Sequence, residues 1–218
     1  MAVLLLRLFA MNHEEHLVDV VVVPHYQVKE VARALIHTIL FNRALGPLKP
    51  REHYCDLFDI CYAKIDDIDI DRLVEDAVER LSQSLRIVGN GTAKGRIAVT
   101  FYEKKKRKGF LGLTTVEDQV NWEQWIISIV VNRQKLSSGA DFAADRMRQA
   151  HQTEKIITQR MLQILTLVNE KKEHLPNVSL NSKKAMVFDF KISIPKLEDK
   201  AENWFTRMLQ QGPPSLTQ

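Results

Sequence analysis

The densest set of ligand-type residues is Asp67-Ile68-Asp69-Ile70-Asp71, whose alternating carboxylates match the opening of a calcium loop. The sixth position of such a loop needs glycine for its sharp turn and the twelfth a bidentate glutamate; here they are Arg72 and Val78. The run therefore reads as the acidic start of a helix, where carboxylates meet the positive end of the helix dipole. The glycines between Gly89 and Gly95 suggest a phosphate cradle, but Lys94 precedes the last of them and no Gly-Lys-Ser/Thr follows. Seven histidines, at 13, 16, 25, 37, 53, 151 and 174, lack the i, i+4 pairing with a glutamate that a zinc protease uses. His37 reads as a buried, hydrogen-bonded side chain of its helix, and Cys55 carries no local signature of a nucleophile. The sequence thus offers no catalytic residue, no cofactor site and no metal site, and a non-enzymatic role is expected.

What remains is a basic segment followed by apolar residues: Lys104, Lys105, Lys106, Arg107 and Lys108, then Gly109-Phe110-Leu111-Gly112-Leu113. It reads as a polar, glycine-containing loop of about 18 residues between two strands, and loops of that length in compact domains are usually functional or disordered. Phe110, Leu111 and Leu113 at its tip would anchor a protein partner or touch a membrane surface, with Lys104, Lys105 and Lys106 steering the encounter. The alternative is a solvated loop whose Phe110 packs back on its own domain.

The elements that must position this segment follow from composition and period. A chain of 218 residues with 45% hydrophobic and 27% charged residues can bury one ordinary core without staples. The net charge of +4 comes from the basic run, without which the balance turns slightly negative, so nucleic acid is not an expected partner. Cys55 and Cys61 read as reduced, mostly buried thiols on one strand, too far apart along it to bridge, which fits a cytoplasmic protein. The apolar start, Met1 to Ala10, is interrupted by Arg7 and lacks a small-residue cleavage pattern, so a secretory signal is not expected.

Leu17 to Val23 is a β-branched strand stopped by Pro24. Val28, Val31, Ala32, Leu35 and Ile39 keep helical spacing, with the stop expected near Gly46-Pro47. Tyr54 to Ile65 returns to strand, as a hairpin or a bent strand. Val74, Ala77, Val78, Leu81 and Leu85 mark a second helix. Arg96 to Tyr102 and Trp122 to Val131 form an antiparallel pair. A third helix shows Ile157, Met161, Ile164, Leu165 and Val168 on one face; a strand over Ala185 to Ile194 and a short helix over Glu198 to Gln210 complete the order. That order does not alternate strictly, which favours an α+β fold with a mostly antiparallel sheet and helices on one face.

Four stretches resemble the autophagy-related protein 101 family: Ala34-Leu35-Ile36-His37-Thr38-Ile39-Leu40-Phe41-Asn42-Arg43, Phe101-Tyr102-Glu103-Lys104-Lys105-Lys106, Trp122-Glu123-Gln124-Trp125, and Val168-Asn169-Glu170-Lys171-Lys172-Glu173-His174-Leu175-Pro176. They occur in the family's order across most of Leu17 to Pro195. The resemblance implies a HORMA domain, a sheet packed on three main helices with a rearrangeable C-terminal segment. It places an N-terminal extension at 1–16, the HORMA domain at 17–195 and a C-terminal helix and tail at 196–218. It further implies a cytoplasmic adaptor recruited to the phagophore assembly site, paired with the HORMA domain of autophagy-related protein 13 and, through it, bound to the initiation kinase complex. The family's tryptophan-phenylalanine finger precedes the Trp-Glu-x-Trp strand. Here the matching loop has no tryptophan, so Phe110 alone carries over, with Leu111 as a substitute. The resemblance also points to the third helix, at Gln159, Arg160 and Gln163, for pairing, and to Trp204, Phe205 and Met208 for C-terminal contacts. A HORMA-type module that captures a peptide in another pathway is the alternative.

Overall fold

The β-branched run that opens the fold forms β1 (Glu14–Val23), which starts three residues earlier than Leu17 and so takes in Glu14 to His16. In the computed structural model, residues 13–46, 48–88, 92–108, 115–132, 141–176 and 186–195 are described. A single 3-10 turn, His25–Gln27, leads from β1 into α1 (Val28–Asn42). Eleven of the 15 residues of α1 are buried, because it is apolar on nearly every side. It ends at Asn42, short of the expected Gly46-Pro47, and β2 (Ala44–Leu45) runs to Gly46, whose φ of 89° suits glycine.

β3 (Pro50–Tyr54) and β4 (Cys61–Ile65) form an antiparallel hairpin. Cys55 and Cys61 are therefore not on one strand: Cys55 lies in the loop and is buried, whereas Cys61 opens β4 and is exposed. α2 (Ile68–Ser84) begins as expected of an acidic start, with Asp67 as N-cap accepting from the Asp69 and Ile70 amides at 2.8 and 3.2 Å. Ile70, Val74, Ala77, Val78 and Leu81 form its buried face.

The main sheet has the order β1-β7-β6-β5, and β9 joins the β5 side of β6. Its members are β5 (Arg86–Val88), β6 (Thr92–Lys108), β7 (Thr115–Val131) and β9 (Phe190–Ser193). The β1–β7 pair is parallel and the other pairs of this sheet are antiparallel, so it is mixed. β6 and β7 have 17 residues each, and their pairing runs on from Tyr102–Asn121 to Lys108–Thr115 beyond the reach of β1. The expected long loop is thus mostly strand: Lys104 to Lys108 belong to β6. Each added row supplies ladder hydrogen bonds without needing a buried face, which allows a charged sequence to be strand. Gly95 does not serve a phosphate cradle. It lies on β6 under α2, where an added Cβ would stand 2.8 Å from Leu85 Cδ2 and 3.1 Å from Leu81 Cδ1.

α3 (Asp141–Glu170) buries Ile157, Ile164 and Val168, while Leu165 is turned to solvent, contrary to the expected shared face. The expected strand over Ala185 to Ile194 is interrupted: β8 (Met186–Val187) pairs with β2, and β9 pairs with β6. The helix expected over Glu198 to Gln210 lies outside the described residues. The core gathers α1, the buried faces of α2 and α3, and the Trp125, Ile127 and Ile129 side of the sheet. Ala98 and Ile126 form a separate small cluster, as strand alternation requires for the opposite face.

Candidate functional site

A charged residue inside an apolar strand is costly unless donors converge on it. Glu123 on β7 is fully buried, and four side chains surround it, Trp125 from its own strand and three from other places in the chain. The register of β6 and β7 shifts between Phe101 and Tyr102, leaving Trp122 without a partner row. A bulge of this kind puts two successive side chains on one face, so Trp122 and Glu123 both enter the core.

Arg43, just past the end of α1, meets the carboxylate with both edges of its guanidinium: Nε donates to Oε1 at 2.8 Å and Nη2 lies 2.7 Å from Oε2. Its remaining donors reach the Val168 and Lys171 carbonyl oxygens at 3.4 and 3.3 Å, and so cap the C-terminal end of α3. The Trp125 indole N–H donates to Oε1. His174, in the segment that follows α3, donates from Nε2 to Oε2 at 2.6 Å. His16 of β1 stands with its Nε2 3.5 Å from Oε2 and its ring 4.2 Å from that of Trp125. Trp122 stacks on Phe101 at 5.4 Å and packs edge-on against Phe188 at 4.8 Å.

Burial by itself would raise the Glu123 pKa. The nearby His16 ring, the donors from His174 and Arg43, and the Arg43 charge overcome it and hold the carboxyl well below the usual carboxylate range. His16, Glu123 and His174 are of metal-ligand type, with one ligand atom each within 4.8 Å of the others. The guanidinium nevertheless takes both carboxylate oxygens, and a divalent ion there would sit beside a fixed positive charge. The arrangement is chemically a latch: it ties β1, β7, the end of α1, the end of α3 and the following segment to one carboxylate.

A second polar cluster lies between α1, β4 and α2. His37 is buried, but it is not the hydrogen-bonded side chain expected from its helix: its Nδ1 has no partner and its Nε2 is 3.8 Å from Asp71 Oδ1. Burial pushes its pKa down to about 4, with Asp71 opposing, so the ring is neutral. Lys64 donates to Asp71 Oδ2 at 2.5 Å, and the Tyr62 hydroxyl has no hydrogen-bond partner.

The residues singled out from the sequence fall elsewhere. Lys104 and Lys105 are exposed on β6, paired with Asp189 at 3.5 Å and Glu103 at 3.4 Å, and Lys106 lies opposite Glu117 in the ladder. Phe110, Leu111 and Leu113, and likewise Trp204, Phe205 and Met208, lie outside the described residues. Gln159 is exposed on α3, beside Leu162, which is 57% exposed. Arg160 and Gln163 are half-buried against β1. The latch was missed because three of its four links to Glu123 span 107, 80 and 51 positions, and its members stand singly in apolar runs. The one local sign was a glutamate between two tryptophans in a strand.

The sequence matches the family described as "Autophagy-related protein 101" over residues 20–182. A curated relative of that description from Arabidopsis thaliana is 27% identical over 208 residues, covering 89% of this chain and 94% of the relative. Relatives of the same description from Homo sapiens and Xenopus tropicalis are each 25% identical over 179 residues, covering 75% of both chains. No helix among the described residues is long and apolar enough to cross a membrane.

Proposed function

The chain belongs to the autophagy-related protein 101 family, and from that premise we propose that it is a non-enzymatic adaptor of autophagy initiation. The match over residues 20–182, which spans the three described helices, β6, β7 and the last four residues of β1, carries this reading. In it, the chain has a HORMA fold and pairs with the HORMA domain of autophagy-related protein 13. It stabilises that partner and, through it, joins the initiation kinase complex at the phagophore assembly site, as a cytoplasmic protein.

The exposed side of α3 supports a role in pairing, since Leu162, Leu165 and Gln159 lie there unburied. The β6–β7 arm supports a role in recruitment: it extends beyond the body, carries Lys104 and Lys105 on its surface, and leads to Phe110, Leu111 and Leu113. The latch would keep the base of that arm and the end of α3 in fixed relation, so that the two surfaces act together.

Size-exclusion chromatography with light scattering, on this chain alone and mixed with the partner HORMA domain, tests the proposal. A one-to-one complex weakened by Leu162→Asp supports it. Two unchanged monomer peaks from folded samples refute the pairing and favour a peptide-capturing module. Phe110→Ala is expected to weaken recruitment of later factors while leaving pairing and folding intact; unfolding would show Phe110 to be core.

A further inference from the structure

Among the described residues β1 is the outer strand of the main sheet, with β7 on one side and no strand on the other. Such an edge is a template for another chain unless something blunts it. Its sequence is unusually suited to pairing: Leu17-Val18-Asp19-Val20-Val21-Val22-Val23 is apolar at every position except Asp19. Leu17 is 61% exposed, and Val20 and Val22 are nearly half exposed.

Two side chains of α3 occupy the free edge. The Gln163 amide accepts from the Asp19 backbone N–H at 3.1 Å through Oε1 and donates to the Leu17 carbonyl at 3.5 Å through Nε2. A parallel neighbour would use the N–H and C=O of one residue to bond the C=O and N–H flanking Val18 in the same way, so the side chain stands in for a strand. Arg160 takes the next positions, donating to the Val20 carbonyl at 3.4 Å and to Asp19 Oδ2 at 3.2 Å. This is where β1 loses register with β7, between Val18 and Val21.

We propose that Gln163 and Arg160 are a guard that keeps the β1 edge from pairing with β1 of a second copy of this chain. The occupant follows from the strand's own pattern. Antiparallel pairing about Val20 sets Asp19 against Val21 and Leu17 against Val23, so no carboxylates face each other, and Pro24 ends the ladder on both sides. The same surface meets itself in a closed two-fold assembly. This inference concerns the chain by itself and does not depend on its partner in autophagy.

The test is light scattering on the full-length chain alone, across a hundredfold range of concentration, comparing wild type with Arg160→Ala/Gln163→Ala. Wild type is expected to stay monomeric and the double variant to shift to twice the mass with rising concentration. Adding Val20→Lys to the double variant should restore the monomer, because an edge lysine resists strand addition. A double variant that stays monomeric while its Asp19 amide exchanges faster than in wild type overturns the proposal, since the edge is then open and nothing adds. So does a dimer that Val20→Lys leaves intact. If the double variant does not fold, Gln163→Glu, which keeps the acceptor for Asp19 and loses the donor to Leu17, must give a weaker shift of the same kind, and a monomer there overturns it.

Discussion

Two buried polar clusters among the described residues use the same helix and treat charge in opposite ways. At the far end of α1, Glu123 is ionised and surrounded by donors from Arg43, Trp125 and His174. Two turns back along that helix, His37 is buried with an unpartnered nitrogen and is neutral, its pKa near 4. A carboxylate that gathers strong donors stays charged and fixes the elements that supply them, whereas an imidazole without partners gives up its proton and behaves as packing. The comparison predicts that the first cluster holds the fold together and the second adds little at neutral pH.

The sharpest way to break it is Glu123→Ala. The substitution leaves Arg43 buried without a counter-charge and should cost about 3–5 kcal/mol. For a chain of this size that is a fall in Tm of about 10 °C, read by thermal or urea denaturation. Any loss under about 1 kcal/mol would mean that the latch is not a latch. Arg43→Leu should cost a comparable amount, and the double variant Arg43→Leu/Glu123→Ala should lose at least about 1 kcal/mol less than the two singles together.

The pH dependence separates the clusters further. The lowered pKa of His37 means that the unfolded chain binds a proton there between about pH 6.5 and 4 and the folded chain does not. Stability from this site is fully present above pH 6.5 and falls as pH drops through that window, by roughly 3 kcal/mol in all. His37→Leu should therefore flatten the urea midpoint between pH 7 and 4 while changing stability at pH 7 by less than about 1 kcal/mol. Glu123 acts lower on the scale: its depressed pKa gives stability that is present above the ordinary glutamate value, near 4.3, and is lost only as pH falls below it.

The smallest effect sets the baseline. Lys104 and Asp189 are both more than half exposed at 3.5 Å, so Lys104→Ala should change stability by under about 0.5 kcal/mol in the same denaturation assay. A larger loss would show that the base of the β6–β7 arm is more tightly held than surface pairing explains.

The α+β class, the three helices and the Asp67 start of α2 were legible in the sequence, because helical period and N-cap chemistry are local properties. The extent of β6 and β7 was not. Five consecutive cations read as loop until the partner strand is known to place Gln119, Asp118 and Glu117 opposite Lys104, Lys105 and Lys106. Cys55 and Cys61 failed for a related reason, since a hairpin loop between them gives each its own surroundings.

The sequence by itself determined that the chain folds around one core, which segments are helical, and which family it resembles. These follow from composition, from period and from residue order. Only the tertiary structure decided that Glu123 meets Arg43 across 80 positions and His174 across 51, and that Gln163 meets the backbone of Asp19 across 144. A lone charge in an apolar run and a glutamine on a helix have no local partner to reveal them, and their roles exist only where chain folding brings donors and acceptors within hydrogen-bond distance.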